Sequence, residues 1–172
     1  MSNRVACFEK VSFEEFKKSL DNLGYDFPFD EVSRIYESIK IPERSTSGSA
    51  GYDFRSPFDF TLTPGNSLII PTGIRCSMED GWLLSLFPRS GLGFKYRMQL
   101  DNTVGIIDSD YYYSDNEGHI MAKVTNDSLN YKELKVEEGQ GFIQGIFLQF
   151  GITHSDCATN KRNGGFGSTD KK

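Results

Sequence analysis

Residues 102–113 read NTVGIIDSDYYY, and this stretch decides how the rest of the chain is interpreted. An apolar run at residues 105–107 ends abruptly in Asp108, which is followed by a second acid and three tyrosines. A buried strand that finishes in carboxylates and aromatic rings is typical of a hairpin corner or of the floor of a polar pocket. The remaining sequence has to distinguish these two interpretations.

The size and composition of the chain are those of an ordinary globular protein. Its 172 residues suit one domain, and contents of 37% hydrophobic and 25% charged residues are usual for that class. The formal net charge of −5 disfavours binding to nucleic acid or to an anionic membrane. Three widely spaced cysteines predict reduced thiols. We therefore expect a cytoplasmic protein with neither a nucleic-acid nor a membrane partner.

Two short helices are predicted near the beginning of the chain. Ser12 and Glu15 form a capping-box pattern, apolar residues follow at helical spacing, and Gly24 is a suitable stop. A second helix is expected from about Asp30 until before Pro42, which cannot continue it. The pair predicts a helical hairpin packed on the edge of the main domain. A partner-binding or lid element is the alternative.

From Tyr52 onward the pattern changes to short strands separated by turn residues. Many short strands at this spacing indicate a β-sandwich or barrel. The polar, glycine-rich segment from Thr159 to the end has almost nothing to bury, which favours a mobile tail unless something anchors it. The predicted strands are 52–55, 68–71, 73–77, 82–87, 98–100, 104–107, 119–126, 133–136 and 141–149.

Five places in the β part carry polar or small residues that a plain sandwich does not need. Each has an ordinary explanation when it is taken alone, such as a surface corner, a closed turn or a polar tail. Arg89, Ser90 and Gly91 offer a guanidinium, a hydroxyl and a closely approachable backbone, a set that suits a phosphate. The five segments are 49–54 (SAGYDF), 88–93 (PRSGLG), 102–111, 139–147 around Gln144, and 162–169 (RNGGFGST).

The order and spacing of these segments resemble the five motifs of the trimeric dUTPase family, over about residues 41–172. The resemblance implies a mainly β, jelly-roll-like β-barrel with a short N-terminal α-helical extension. It also implies hydrolysis of dUTP to dUMP and pyrophosphate with Mg²⁺, in a homotrimer whose active sites are shared between subunits. The implied division is an N-terminal helical extension (1–40), a dUTPase-like β domain (41–158) and a flexible C-terminal arm that closes on the active site (159–172).

The resemblance also assigns roles to individual residues. Asp108 is similar to the carboxylate that activates the attacking water, and such a base contributes ~10²–10⁴-fold. Tyr111 is similar to the tyrosine that packs under the deoxyribose, and Phe166 to the aromatic residue of the arm that stacks on uracil. Asp53 corresponds to an acid that supports Mg²⁺ indirectly, through water. The remaining implied substrate-binding residues are Arg89, Ser90, Gly91, Asn102, Ile106, Ile107, Met121, Gln144, Arg162, Gly167, Ser168 and Thr169.

The sequence departs from the family pattern in the third motif and in the fourth and fifth. Residues 112–117 lengthen the hairpin after Tyr111, and Gln140-Gly141 stands where an acid and an arginine are common. Either Lys161 or Arg162 supplies the phosphate contact of the arm. Two other functions stay open: a dCTP deaminase of the same superfamily, and a nucleotide-gated regulatory protein. A protein regulator is therefore a further expected partner.

Overall fold

The structure, a computed structural model, describes residues 4–160. Within this range the chain forms mainly short antiparallel strands. Two helices precede the strand at Tyr52–Arg55, and a third follows the strand at Trp82–Pro88. The elements in chain order are β1 (Ala6–Lys10), α1 (Phe13–Asn22), α2 (Phe29–Ser38), β2 (Tyr52–Arg55), β3 (Phe60–Leu62), β4 (Ser67–Pro71), β5 (Ile74–Met78), β6 (Trp82–Pro88), α3 (Ser90–Tyr96), β7 (Met98–Leu100), β8 (Gly105–Asp108), a 3₁₀ turn (Ser109–Tyr113), β9 (Met121–Asn126), β10 (Leu134–Val136) and β11 (Gly141–Gln149).

The strands form a jelly-roll-like β-barrel in which all pairs are antiparallel. The largest sheet has the order β2–β11–β6–β8, and a second sheet has the order β4–β9–β7. Two smaller pairs, β1–β5 and β3–β10, complete the barrel. Alternation along the strands explains the layering, because successive side chains of a strand point to opposite faces. In β10, for example, Leu134 and Val136 are buried while Lys135 between them is exposed.

The two predicted helices are confirmed, and together we call α1 and α2 the helical hairpin. Ser12 caps α1 by accepting a hydrogen bond from the Glu15 N–H (3.1 Å), and Gly24 ends it with a φ of +80°. Phe16 and Ile35 are fully buried, so the helical hairpin shares the hydrophobic core of the β-barrel. The division at residues 40 and 41 stays a prediction. Among the described residues, no helix has the length and apolar character that crossing a membrane requires.

Three elements were missed by the sequence analysis, namely β1, β3 and α3. The strand β1 precedes the helical hairpin and pairs with β5, with Phe8 opposite Cys76. The helical hairpin is therefore an insertion between two strands of the barrel. The helix α3 occupies residues that were interpreted as a surface corner or a phosphate-binding turn. Its sequence carries no helical signal, because two of its seven residues are glycine.

The residues that lengthen the third-motif hairpin, 112–117, pack against β1 and α1. The Glu117 carboxylate accepts hydrogen bonds from the Ser12 N–H (2.7 Å) and hydroxyl (2.6 Å), which is the acceptor role that Glu15 fills in a complete capping box. The Tyr112 ring lies 3.6 Å from the Arg75 guanidinium, and its hydroxyl donates to Glu9 (2.7 Å). We call residues 112–117 the lengthened hairpin. Through these contacts the lengthened hairpin connects β1 and β5 of the barrel to the beginning of α1.

His119, at the end of this hairpin, is fully buried and links the barrel to the helical hairpin. Its Nε2 accepts a hydrogen bond from the Gly73 N–H (2.9 Å), and its Nδ1 lies 3.0 Å from the Ser19 hydroxyl. Because Nε2 is an acceptor, the neutral ring carries its proton on Nδ1, which donates to Ser19. Ser19 in turn donates to Glu15 (3.1 Å). Burial lowers the pKa of His119 to about 4, so the imidazole is neutral at pH 7.

Candidate active site

A cavity of about 440 Å³ is lined by residues of the strands β8 and β9 and of neighbouring elements. Four of the residues singled out in the sequence line it together: Asn102, Ile106, Ile107 and Met121. Gly105 lies in the same wall, and a Cβ there would come within 3.0 Å of the Leu86 side chain. We call this space the apolar cavity, because most of its lining consists of aliphatic side chains and strand backbone. This mainly apolar lining suits a largely uncharged group.

Asp108 is the last residue of β8 and lies directly beyond the apolar cavity in the chain. It is half-buried and pairs with Leu83 in the β6–β8 ladder, so its backbone is held by the sheet. A carboxylate fixed in this way can orient a water molecule and accept a proton from it. The 3₁₀ turn that begins at Ser109 then leads the chain away from the sheet.

Tyr111 is buried in the 3₁₀ turn that follows β8. It is 5% exposed, and its hydroxyl donates to the His119 carbonyl (2.9 Å) and accepts from the Asn116 amide (2.9 Å). Tyr111 is not among the residues of the described chain that line the apolar cavity. Gly118 makes this packing feasible, because a Cβ there would lie 2.7 Å from the Tyr111 carbonyl oxygen and its φ is +71°.

A second group of sequence-predicted residues meets in the sheet β2–β11–β6–β8, where β2, β11 and the end of β6 lie side by side. Arg89 Nε lies 3.1 Å from Asp53 Oδ1, and the Ser45 hydroxyl donates to the other carboxylate oxygen of Asp53 (2.9 Å). Gln144 pairs with Asp53 in the β11–β2 ladder, and its amide donates to the Pro88 carbonyl (3.3 Å). We call Asp53, Arg89 and Gln144 the polar cluster. It presents a guanidinium, a carboxylate and an amide on adjacent strands.

Two glycines make the polar cluster sterically feasible. A Cβ on Gly51 would lie 2.4 Å from Gln144 Oε1, and a Cβ on Gly141 would lie 2.6 Å from Arg89 Nη1. Both distances are far below a van der Waals contact, so any larger residue has to displace the side chain beside it. The glycine at 141, where the family pattern often has arginine, therefore makes room for Arg89.

Ser90 and Gly91 follow Arg89 as the first two residues of α3, and both are exposed. The Arg89 N–H donates to the Phe142 carbonyl (3.1 Å), which attaches the beginning of this helix to β11. The hydroxyl of Ser90 and the backbone of Gly91 consequently face the solvent beside the polar cluster. Arg162, Phe166, Gly167, Ser168 and Thr169 lie outside the described residues.

Asp108 of β8 and Gln144 of the polar cluster lie on opposite sides of β6. Asp108 on β8 pairs with Leu83 near the beginning of β6, whereas Gln144 on β11 pairs with Phe87 near its end. Four residue steps separate Leu83 from Phe87, which is about 13 Å along a strand. One chain therefore does not place its polar cluster beside its own Asp108.

The lining of the apolar cavity also includes residues that were not identified in the sequence, among them Leu23, Asp101 and Lys123. Lys123 Nζ lies 2.8 Å from Asp101 Oδ2; Lys123 belongs to β9, and Asp101 directly follows the neighbouring strand β7. Burial opposes ionisation of Asp101, but hydrogen bonds from Lys123 and Thr125 outweigh it, so its pKa lies below the ordinary value. The position of Asp101 next to Asn102 was the only available sequence signal.

Comparisons with known proteins identify the family of this chain. A family model for dUTPase matches residues 37–170, so the chain belongs to the dUTPase family. The deoxyuridine 5'-triphosphate nucleotidohydrolase of Lactococcus lactis subsp. lactis is 40% identical over 145 residues, which cover 82% of this chain and 95% of the relative.

Solved structures give the same family and fold. The crystal structure of the dUTPase from Streptococcus mutans is 35% identical, with a TM-score of 0.61, and the match covers 69% of this chain and 91% of that one. The dUTPase from phage phi11 of S. aureus, at 22% identity, matches with a TM-score of 0.60 over 72% of this chain and 92% of that chain. The second likeness concerns the fold alone. Both agree with the barrel described above.

Proposed function

We propose that this protein hydrolyses dUTP to dUMP and pyrophosphate. The observation that carries the proposal is the apolar cavity, which is lined by four motif-three and hairpin residues and is followed directly by Asp108. The Lactococcus relative, 40% identical, is named for this activity. A flat pyrimidine with its deoxyribose fits such a cavity, and its phosphates would emerge where the strand ends.

Asp108 is proposed to accept the proton of the attacking water. The phosphate nearest to the nucleoside is the α-phosphate, so a base beside the cavity favours attack there. The water oxygen bonds to the α-phosphorus, the bond to the bridging oxygen breaks, and pyrophosphate leaves. Phosphoryl transfer of this kind needs a positioned nucleophile and stabilised charge rather than covalent work by the protein.

Selection of the base and the sugar is proposed to depend on strand backbone and on packing. Asn102 and the peptide groups at Ile106 and Ile107 offer fixed donors and acceptors, and Met121 covers the opposite side. A base with the wrong hydrogen-bonding edge would leave buried groups unpaired, which is a strong basis for discrimination. Tyr111 is proposed to pack under the deoxyribose, as in the family pattern, which requires its buried ring to become accessible when the nucleotide binds.

The donors present fit a Mg²⁺ ion that is held mainly by the substrate. Among the described residues, no group of three or more His, Cys, Asp or Glu side chains could hold a metal ion. Mg²⁺ readily keeps several waters and binds substrate phosphates with few protein ligands. Both oxygens of Asp53 are already bound, by Arg89 and Ser45, so Asp53 would act through a metal-bound water. The ion would neutralise charge on the triphosphate.

A homotrimer with shared sites is proposed for the assembly. The separation of the two half-sites along β6 supports it, because the Arg89 and Gln144 that grip the phosphates would come from a neighbouring copy. Leu148, Phe150 and Ile152 are large apolar residues that a single chain leaves 44%, 46% and 74% exposed, respectively. Such a strip is typical of a surface that a second copy covers.

The C-terminal arm and the beginning of α3 are also part of the proposed site. Arg162, Phe166, Gly167, Ser168 and Thr169 are proposed to close over the bound nucleotide, and Ser90 and Gly91 to contact its phosphates. The three cysteines are free thiols, which suits the cytoplasm, where we place the protein. A protein regulator stays a prediction.

The test is to incubate the protein with Mg²⁺ and dUTP, dCTP or UTP, and to measure pyrophosphate and ammonia separately. We expect pyrophosphate from dUTP, at least about a hundredfold faster than from the other two nucleotides. Ammonia released from dCTP would instead establish the deaminase alternative. Absence of turnover with all three would leave the nucleotide-gated alternative and overturn the proposed hydrolysis.

A further inference from the structure

Leu23, at the end of α1, forms part of the wall of the apolar cavity. It is half-buried and lines the same space as Asn102, Ile106 and Met121. Leu23 also lines a smaller hollow of about 220 Å³, so the residue borders both spaces. It is contributed by the helical hairpin rather than by any of the five motifs.

The backbone on both sides of Leu23 is fixed. Its own N–H donates to the carbonyls of Ser19 and Leu20, each at 3.1 Å, which closes the last turn of α1. Two residues later the Tyr25 hydroxyl donates to the carbonyl of Ile69 in β4 (2.7 Å), and the Tyr25 ring packs on Phe58 with centroids 4.9 Å apart. Ile69 lines the apolar cavity as well. Leu23 is thus held at a defined position next to a cavity strand.

We propose that Leu23 is a nucleoside-binding residue, so that the helical hairpin supplies one wall of the pocket for the pyrimidine deoxynucleoside. This inference rests on the proposed function. An aliphatic side chain at the rim displaces water from the pocket, and hydrogen bonds inside a less polar space are electrostatically stronger. The contact is the same in the bound substrate and in the transition state, so it acts on KM and leaves kcat unchanged.

The experiment compares Leu23→Ala with the wild-type protein under steady-state conditions. We expect KM for dUTP to rise about five- to twentyfold, because several buried methyl and methylene contacts are lost, while kcat stays within about twofold. Leu23→Met, which keeps the volume, should restore most of the affinity. Leu129→Ala is the matched control, because Leu129 is 75% exposed and lies away from the cavity. Its kinetic constants should equal those of the wild type.

A second measurement does not depend on any variant being folded. In protein labelled at the leucine methyl groups, the Leu23 resonances should shift when dUMP is added, and the Leu129 resonances should stay in place. Leu23 methyls that do not respond to saturating dUMP would overturn the inference, as would an unchanged KM in Leu23→Ala.

The kinetic outcomes also distinguish this inference from the proposed function. Equal losses of kcat and kcat/KM in Leu23→Ala would contradict a uniform binding contact and overturn the assignment. A wild-type protein that hydrolyses dUTP while Leu23→Ala behaves identically leaves the proposed function intact and removes only this inference. A wild-type protein without dUTP turnover overturns the proposed function, and the inference with it.

Discussion

The apolar cavity and the polar cluster are built in different ways. The cavity is formed within one chain from strand backbone and aliphatic side chains, and Asp108 follows it directly. The polar cluster consists of side chains whose charges compensate one another, with Arg89 and Asp53 3.1 Å apart. The comparison supports the proposal that one chain supplies the nucleoside pocket and a second copy supplies the phosphate contacts.

The largest expected effect concerns the carboxylate at the cavity end. Asp108→Asn removes the proton acceptor while keeping the shape of the side chain, so kcat should fall about 10²–10⁴-fold. Binding of dUTP should persist, which equilibrium titration with the variant will show. Asp115→Asn, in the exposed part of the lengthened hairpin, is the control and should keep normal activity. Near-normal kcat in Asp108→Asn would refute its assignment as the base.

The second prediction tests whether the two halves come from different copies. Arg89→Ala and Asp108→Asn should each be nearly inactive, and mixed trimers of the two should regain activity. With random mixing, an intact site needs one unaltered Asp108 and one unaltered Arg89 from a neighbour, so about a quarter of the sites should work (one half times one half).

The control for this mixing experiment uses a chain that carries both substitutions. Combined with Asp108→Asn chains, the double variant supplies no unaltered Asp108, so no activity should return. If the first mixture also stays inactive, both halves of the site belong to one chain. That result would contradict the separation along β6.

A smaller effect is expected from filling the space beside Arg89. Gly141→Ala places a methyl group where Arg89 Nη1 would be 2.6 Å away, so the guanidinium has to shift within the polar cluster. We expect kcat/KM to fall about tenfold, because one charge-assisted phosphate contact is weakened but, unlike in Arg89→Ala, not removed. Gly151→Ala, with no atom within 4 Å of the new methyl group, should behave like wild type. Equal kinetics for the two variants would show that Arg89 does not need this space.

Protonation of His119 should have the smallest effect on activity at neutral pH but a clear effect on stability. Burial lowers its pKa from the ordinary 6.5 to about 4. Between these two pH values the imidazole binds a proton in the unfolded chain but stays neutral in the folded chain. The free energy of unfolding should therefore decrease by up to about 3 kcal/mol as the pH falls from 7 to 4. Chemical denaturation as a function of pH measures this decrease.

His154, the other histidine, provides the comparison for this pH dependence. It is exposed, so His154→Gln should keep the loss of stability between pH 7 and pH 4, whereas His119→Gln should reduce it. Glu117 acts in a different interval. The hydrogen bond from Ser12 lowers its pKa, so its stabilising contribution is lost only as the pH falls below the ordinary 4.5. Identical pH profiles for the two glutamine variants would contradict the buried, neutral state of His119.

The sequence predicted the barrel well where strands are long or strongly apolar. The strand β11 was predicted at its observed bounds, and β6 within one residue, because both contain continuous apolar runs. Both β1, with mixed polarity, and β3, with three residues, carry too little local signal. The helix α3 was missed for a physical reason: its glycines weaken helix propensity, and tertiary contacts such as the buried Leu92 stabilise it instead.

The residues of the candidate site likewise include some that the sequence predicted and some that it did not. Asn102, Ile106, Ile107 and Met121 could be predicted because the motifs that contain them are continuous in sequence, and the structure brings them around one cavity. Leu23 could not be predicted, because only the docking of the helical hairpin on β4 brings it there. The Asp101–Lys123 pair depends on the register of β7 against β9, which the sequence leaves open.

The hydrogen bonds between Glu117 and Ser12 make the two insertions of this chain dependent on each other. A relative that kept the helical hairpin but had a short third-motif hairpin would leave the Ser12 N–H without this carboxylate. A relative with only the long hairpin would present the Glu117 carboxylate to no cap at all. The two segments should therefore be inherited as one unit, gained or lost together. A chimeric dUTPase that exchanges either segment should exchange both.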